Sequence, residues 1–231
     1  MDKKTPHQHL LNYLIFASEQ PKGFVYRSDS ALPQEALSTA NADTKQQLES
    51  LFLPNVHCTA CPLATQGRSH VVCGHGNPHA QLMFVGEGPG RDEDEQGLPF
   101  VGRAGQLLTK IIEAMKLKRE DVYISNVVKC RPPGNRAPLP IESDTCKKLL
   151  LFREIDIIKP TLICTLGATA VQAVLGDGVT ITRARGTFYD YKGIPVMPTY
   201  HPAYLLRNPD AKRVVWEDMK KIMERLEHIN I

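Results

Sequence analysis

The stretch from Gln81 to Val101, QLMFVGEGPGRDEDEQGLPFV, constrains the fold more than any other part of the chain. Its apolar run Leu82-Met83-Phe84-Val85 stops on Gly86-Glu87-Gly88-Pro89-Gly90, where three glycines and a proline would strain any helix or strand interior. A buried strand must end there in a loop. In open α/β sheets the loops at the carboxyl ends of strands hold the ligand chemistry, so this loop and its carboxylate, Glu87, are the first place to look for a site.

The rest of the chain supplies the other layers. Val122 to Val128 reads as a second buried strand, too apolar to face water on one side, with Asn126 out of place in it. Thr161 to Leu166 is a third, running into Gly167 and a helix from Ala168 to Leu175. Ala104 to Met115 sets Leu107, Leu108, Ile111, Ile112 and Met115 on one helical face. A helix is expected from Ser143, as N-cap, to Ile158, stopped by Pro160. Thr187–Tyr191 and Ile194–Met197 read as a hairpin delivering Pro198-Thr199-Tyr200-His201-Pro202, and a last amphipathic helix spans roughly Asp210 to Ile229. Strands alternating with helices at this spacing predict a three-layer αβα domain with a mostly parallel sheet.

Residues 1–55 read as an amino-terminal extension. They offer a helix near His7 to Ser18, a break at Pro21 to Gly23, a polar linker from Ser28 to Thr44 and a helix near Thr44 to Phe52. No apolar run approaches the roughly 20 residues that span a bilayer, and Leu10 to Phe16 lacks a cleavage site, so a cytosolic protein without a membrane is expected. Six cysteines are then reduced thiols. Cys73 and Cys164, inside apolar runs, read as core filling, and a short strand is expected over Ser69 to Cys73.

The net charge of +3 is small but uneven: the chain after Met115 carries 19 basic against 13 acidic residues. Lys129, Arg131, Arg136, Arg183, Arg185, Arg207, Lys212 and Arg213 recur at its expected loops. Solvated surface charge is the ordinary reading of such a pattern, and contact with a polyanion needs a motif to support it.

Cys58-x-x-Cys61, with Cys130 and Cys146, brings four soft thiolates as one close pair and two separate positions. Such a set suits tetrahedral zinc or an iron–sulfur cluster, and spacing leaves both open beside four unrelated buried cysteines. Asn126 is either a strand-end capping residue or a reader, since an amide offers one acceptor and two donors, the complement of an imide edge such as uracil's. His201 is either a satisfied core histidine or, in its rigid prolyl loop, a donor to a developing anion. Phe100 is core or a stacking platform for a base. Asp92-Glu93-Asp94-Glu95 would ordinarily be a solvated acidic face.

Taken together, Gly86-Glu87-Gly88-Pro89-Gly90, Leu98-Pro99-Phe100-Val101-Gly102 with Ala104-Gly105, Asn126 through Pro133 and His201 through Arg207 resemble the motifs of the family-four uracil-DNA glycosylases. The likeness runs from about Cys58 to about Arg225, which makes residues 56–231 the glycosylase domain. It implies that family's α/β fold and a [4Fe-4S] cluster on Cys58, Cys61, Cys130 and Cys146. It implies removal of uracil from single- or double-stranded DNA, leaving an abasic site in an uncut strand. Phe100 would stack on the base, Asn126 would read it, and the loop of Gly86 and Gly88 would bind it through backbone N–H groups. His201 would donate to O2 of the leaving base. Glu87 would position water, Glu93 would meet the methyl of thymine, Leu206 would wedge into the stack and Arg207 would contact phosphate. A related family captures uracil-DNA covalently through a histidine in an inserted loop, and Asn126 to Cys146 holds no histidine. A DNA-binding module with a redox-sensing cluster and a zinc-stapled nucleic-acid-binding protein are the remaining readings. The expected state is a monomer, and docking of a replication or repair protein on residues 1–55 has no motif behind it.

Overall fold

The structure, a computed structural model, describes residues 34–229. The expected helix at His7 to Ser18 and the break at Pro21 to Gly23 lie outside these residues. In chain order the elements are α1 (Gln34–Phe52), β1 (His75–Gly76), β2 (Leu82–Gly86), α2 (Arg91–Gln96), α3 (Arg103–Ala114) and β3 (Tyr123–Asn126). After the prolyl loop come α4 (Pro140–Cys146), a π-helical turn (Lys147–Leu151), α5 (Phe152–Ile158), β4 (Leu162–Leu166), α6 (Ala168–Leu175) and α7 (Ile181–Ala184). The chain closes with β5 (Tyr189–Tyr191), β6 (Ile194–Thr199), α8 (Pro202–Arg207) and α9 (Ala211–Ile229).

The six strands form one sheet in the order β1-β3-β2-β4-β6-β5. Its four central strands are parallel and both edges are antiparallel. The expected architecture and the β5–β6 hairpin are therefore present. Alternation along the strands divides the core in two. Met83 and Val85 of β2 face a cluster with Leu150, Ile155, Ala170 and Val174, while Leu82 and Phe84 face Leu108, Ile112, Met219 and Ile222. These four apolar residues of β2 are each 2% exposed or less, as a strand covered on both faces requires. Among the described residues, no helix is long and apolar enough to cross a membrane.

Several local expectations change. Helix α1 starts at Gln34, inside the stretch read as linker, and Leu48, Leu51 and Phe52 are buried in the first core cluster. Ser69 to Cys73 is not a strand. The amides of Ser69 and His70 donate to the Asp94 carboxylate at 2.9 and 3.1 Å, which removes them from any ladder. The helix expected from Ser143 begins at Pro140, with the Leu139 amide donating to Glu142 Oε2 at 2.7 Å and proline in the first turn, where its missing N–H costs nothing.

Lys129, counted among the surface basic residues, is fully buried. Its ammonium lies 2.5 Å from Glu154 Oε2 and donates to Ser125 Oγ and to the Asn126 carbonyl, the last at 2.8 Å. A charge this deep persists only when paired and hydrogen-bonded. Arg185 and Arg136 are likewise committed, to Asp218 at 2.5 Å and to Glu142 at 2.7 Å. The basic excess of this half is partly internal wiring.

Candidate active site and thiol cluster

The parallel strands end in line. Gly86 pairs with Asn126 and Leu166 with Thr199, so the turns after β2, β3, β4 and β6 gather at one edge, beside the switch point between β2 and β4. A cleft of about 530 Å³ opens there, lined by Glu87, Gly88, Glu93, Phe100, Asn126 and His201, with Arg131 and Pro132 of the prolyl loop on one wall. Glu87 and His201, 114 positions apart in the chain, thus share one cavity.

Asn126 is 1% exposed, and neither its Nδ2 nor its Oδ1 has a hydrogen-bond partner. Thr165 Oγ1 is the other buried side-chain atom left so among the described residues. An unpaired buried amide costs about 1–3 kcal/mol, a cost that a ligand with a matching donor and acceptor would recover. Its backbone is held from behind by Lys129.

Phe100 is 6% exposed and takes a left-handed conformation, φ 52°. Two glycines leave room for it. A Cβ on Gly86 would lie 2.5 Å from the Phe100 ring, and one on Gly105 would lie 2.0 Å from the Phe100 carbonyl. The loop is also pinned by Glu93, whose carboxylate accepts from the amides of Gly90, Val101 and Gly102 at 3.1, 2.9 and 2.8 Å. The acidic run is therefore not simply a solvated face: Asp94 is 2% exposed, and Glu93 braces the cleft wall. Gly105→Ala should cost about 1–3 kcal/mol by overpacking, read as a lower denaturant midpoint at unchanged slope.

His201 caps α8. Its Nδ1 accepts from the Ala203 amide at 3.1 Å, which leaves the proton of the neutral ring on Nε2. Its ring lies 5.5 Å from that of Phe100, centroid to centroid. Burial, then the charge of Arg207, lowers its pKa from 6.5 to about 4. His75 is lowered to about 4 too, by burial and then by Arg119. Both histidines fold neutral, so the unfolded chain binds more protons between these values. Stability should hold above pH 6.5, fall as pH drops from 6.5 to about 4, and level off below. Urea midpoints across pH 4 to 7.5 read this directly, and a midpoint constant through that window contradicts it.

Glu87 is half-buried and Thr169 Oγ1 donates to its Oε2. Its carbonyl accepts from the Val128 amide at 3.1 Å. Leu206 and Arg207 lie on the exposed side of α8, with Leu206 39% exposed. Thr169 and the Lys129–Glu154 pair escaped the reading of the sequence. Thr169 sits in the first turn after β4, a junction of the same kind as the loop after β2, and that position was its available signal.

Away from the cleft, Cys58, Cys61, Cys130 and Cys146 lie within electrostatic range of one another, each of the last three feeling at least one of the others. Burial first, and then neighbouring thiols, raises Cys61 and Cys130 and pushes Cys146 up to about 12. Arg68 donates to Cys130 Sγ at 2.8 Å and to the Cys58 carbonyl at 2.6 Å, and the Lys129 amide donates to Cys146 Sγ at 3.3 Å. Among the described residues, no three histidine, cysteine or acidic side chains are gathered to hold a single metal ion. Cys164 is fully buried in β4, as core filling requires.

Residues 73–220 match the model of the uracil DNA glycosylase superfamily. The chain is similar to the type-4 uracil-DNA glycosylase of Thermotoga maritima, 49% identical over 77% of this chain and 94% of that protein. It is 46% identical to the type-4 enzyme of Sulfurisphaera tokodaii over 77% and 84% of the two chains, and 41% identical to that of Archaeoglobus fulgidus over 78% and 93%.

Proposed function

The chain belongs to the uracil DNA glycosylase superfamily, with type-4 enzymes among its relatives, and we propose on that footing that its cleft hydrolyses the N-glycosidic bond of uracil in DNA. The product is free uracil and an abasic site in an uncut strand, the entry to base-excision repair. The observation that carries the reading is the buried, unpartnered amide of Asn126 beside Phe100 and His201.

The nucleotide must leave the stack to reach this cleft, at a cost of a few kcal/mol. Leu206, exposed beside the site, fills the gap, and Arg207 meets phosphate. Phe100 stacks on the base, the Asn126 amide pairs with its imide edge, and the loop of Gly86 and Gly88 binds it through backbone N–H groups, its glycines leaving room for Phe100, Asn126 and Val128. As the bond breaks the base departs as an anion. Nε2–H of neutral His201 donates to O2, where that charge accumulates, and Glu87 holds the water that attacks the sugar. Glu93 works through the loop it braces; meeting the thymine methyl is a further role for it.

For the four cysteines we infer a [4Fe-4S] cluster. The four sulfurs lie within electrostatic range of one another, Arg68 and the Lys129 amide donate to those of Cys130 and Cys146, and an all-thiolate set is the donor chemistry iron–sulfur clusters use. When bound, the cluster supplies a staple between residues 58–61 and the prolyl loop from Cys130 to Cys146. Brown protein with about four irons, lost together in Cys146→Ser, is expected. Colourless protein with stoichiometric zinc contradicts it.

The activity is tested with oligonucleotides identical except for uracil, thymine or cytosine at one position, followed by alkali. Strand scission only after alkali, and only for uracil, is expected. A protein–DNA band surviving denaturation indicates covalent capture, and intact strands throughout leave a binding protein. Either contradicts the proposal.

A further inference from the structure

We propose that Thr169 is a positioning residue for Glu87, fixing one carboxylate oxygen so that the other faces the attacking water. The inference rests on the reading of Glu87 as the water-holding group. A glutamate side chain loses up to about 2 kcal/mol of rotamer freedom when fixed, and the bonds that hold the loop, from the Val128 amide to the Glu87 carbonyl and from the Gly90 amide to Glu93, engage its backbone and not the Glu87 carboxylate. What fixes the side chain comes from 82 residues away: Thr169 Oγ1 donates to Oε2. Among the described residues no other hydrogen bond engages that carboxylate, so Oε1 remains for water.

The turn that carries Thr169 is itself anchored. The Gly167 amide donates to the Thr199 carbonyl at 2.9 Å, and the Val171 amide donates to the Gly167 carbonyl at 3.1 Å. Gly167, at φ 89°, lets the chain pass so close to His201 that a Cβ there would stand 3.1 Å from the histidine's own. One turn thus touches His201 by packing and Glu87 by a hydrogen bond. It sets the distance between the group that stabilises the departing base and the group that holds the nucleophile. Misplacement of a reacting group by about 1 Å can cost on the order of 100-fold in rate, so a threonine at this junction has kinetic leverage without touching the DNA.

The test is a double-mutant cycle under single-turnover conditions on uracil-containing DNA. Thr169→Val, nearly isosteric, should lower the chemical rate by about 10-fold or more with little change in DNA affinity. Thr169→Ser, which keeps the hydroxyl, should stay within about threefold of the unaltered protein. On a Glu87→Ala background, Thr169→Val should have no further effect, because Thr169 acts through the missing group. Equal rates for the valine and serine variants, or full additivity with Glu87→Ala, overturn the inference. If Glu87→Ala alone keeps the original rate, the reading of Glu87 fails first, which is a distinguishable result. Should Thr169→Val not fold, Thr169→Ala against Thr169→Ser reads the same contrast.

Discussion

Replacing His201 with alanine is expected to slow the chemical step by about 10²–10³-fold while leaving affinity for uracil-containing DNA nearly unchanged, the pattern of an interaction made only in the transition state. The expectation follows from three features of the ring. Its Nδ1 is occupied by the Ala203 amide, so the donor is Nε2–H. Its pKa of about 4 keeps it neutral at physiological pH, so it donates without first needing a proton. Its place at the start of α8, in a turn packed against Gly167, fixes it before substrate arrives, and preorganised donors are worth about 3–4 kcal/mol. The variant also loses a helix cap, which costs about 1 kcal/mol of stability, too little to mimic the kinetic loss. Equal losses in affinity and rate would show that His201 merely binds.

Replacing Asn126 with alanine is expected to collapse the preference for uracil over cytosine by as much as about 10⁴-fold, since a site built to hydrogen-bond one edge rejects the wrong edge by that order. Uracil presents acceptor, donor and acceptor along its pairing edge, whereas cytosine presents an amino group where uracil has an oxygen. An amide whose oxygen faces the imide N–H distinguishes the two. The same substitution should leave stability unchanged or raised, because it removes a buried amide that has no partner in the free protein. Function lost and stability kept is the signature of a group held ready for a ligand. A variant that loses both would show instead that Asn126 is a structural residue.

The sheet was legible because its strands are covered on both faces, so that an apolar run such as Leu82 to Val85, cut short by glycines and a proline, reads as one of them. The cleft residues were legible because each breaks a local rule: an amide in an apolar strand, a histidine between prolines, a carboxylate among glycines. Where burial decides the outcome, the pattern was mute. Lys129 looks like any surface lysine until Glu154, 25 residues on in a helix, is brought 2.5 Å away. Asp94 sits in a run of four acids, and only the fold turns it inward to take the amides of Ser69 and His70, ending the strand expected there. The start of α4 shifted to Pro140 because Glu142, rather than Ser143, satisfies the first free amide. Thr169 makes the same point for the site, since its partner is 82 residues away.

Uracil hydrolysis at this cleft is tested most directly by quantifying free base and abasic sites in one reaction on DNA carrying a single uracil. Hydrolysis at the Asn126–His201 cleft predicts one free uracil per abasic site, with the strand intact and no protein attached. Absence of free uracil, a strand broken before alkali, or base retained on the DNA would contradict it.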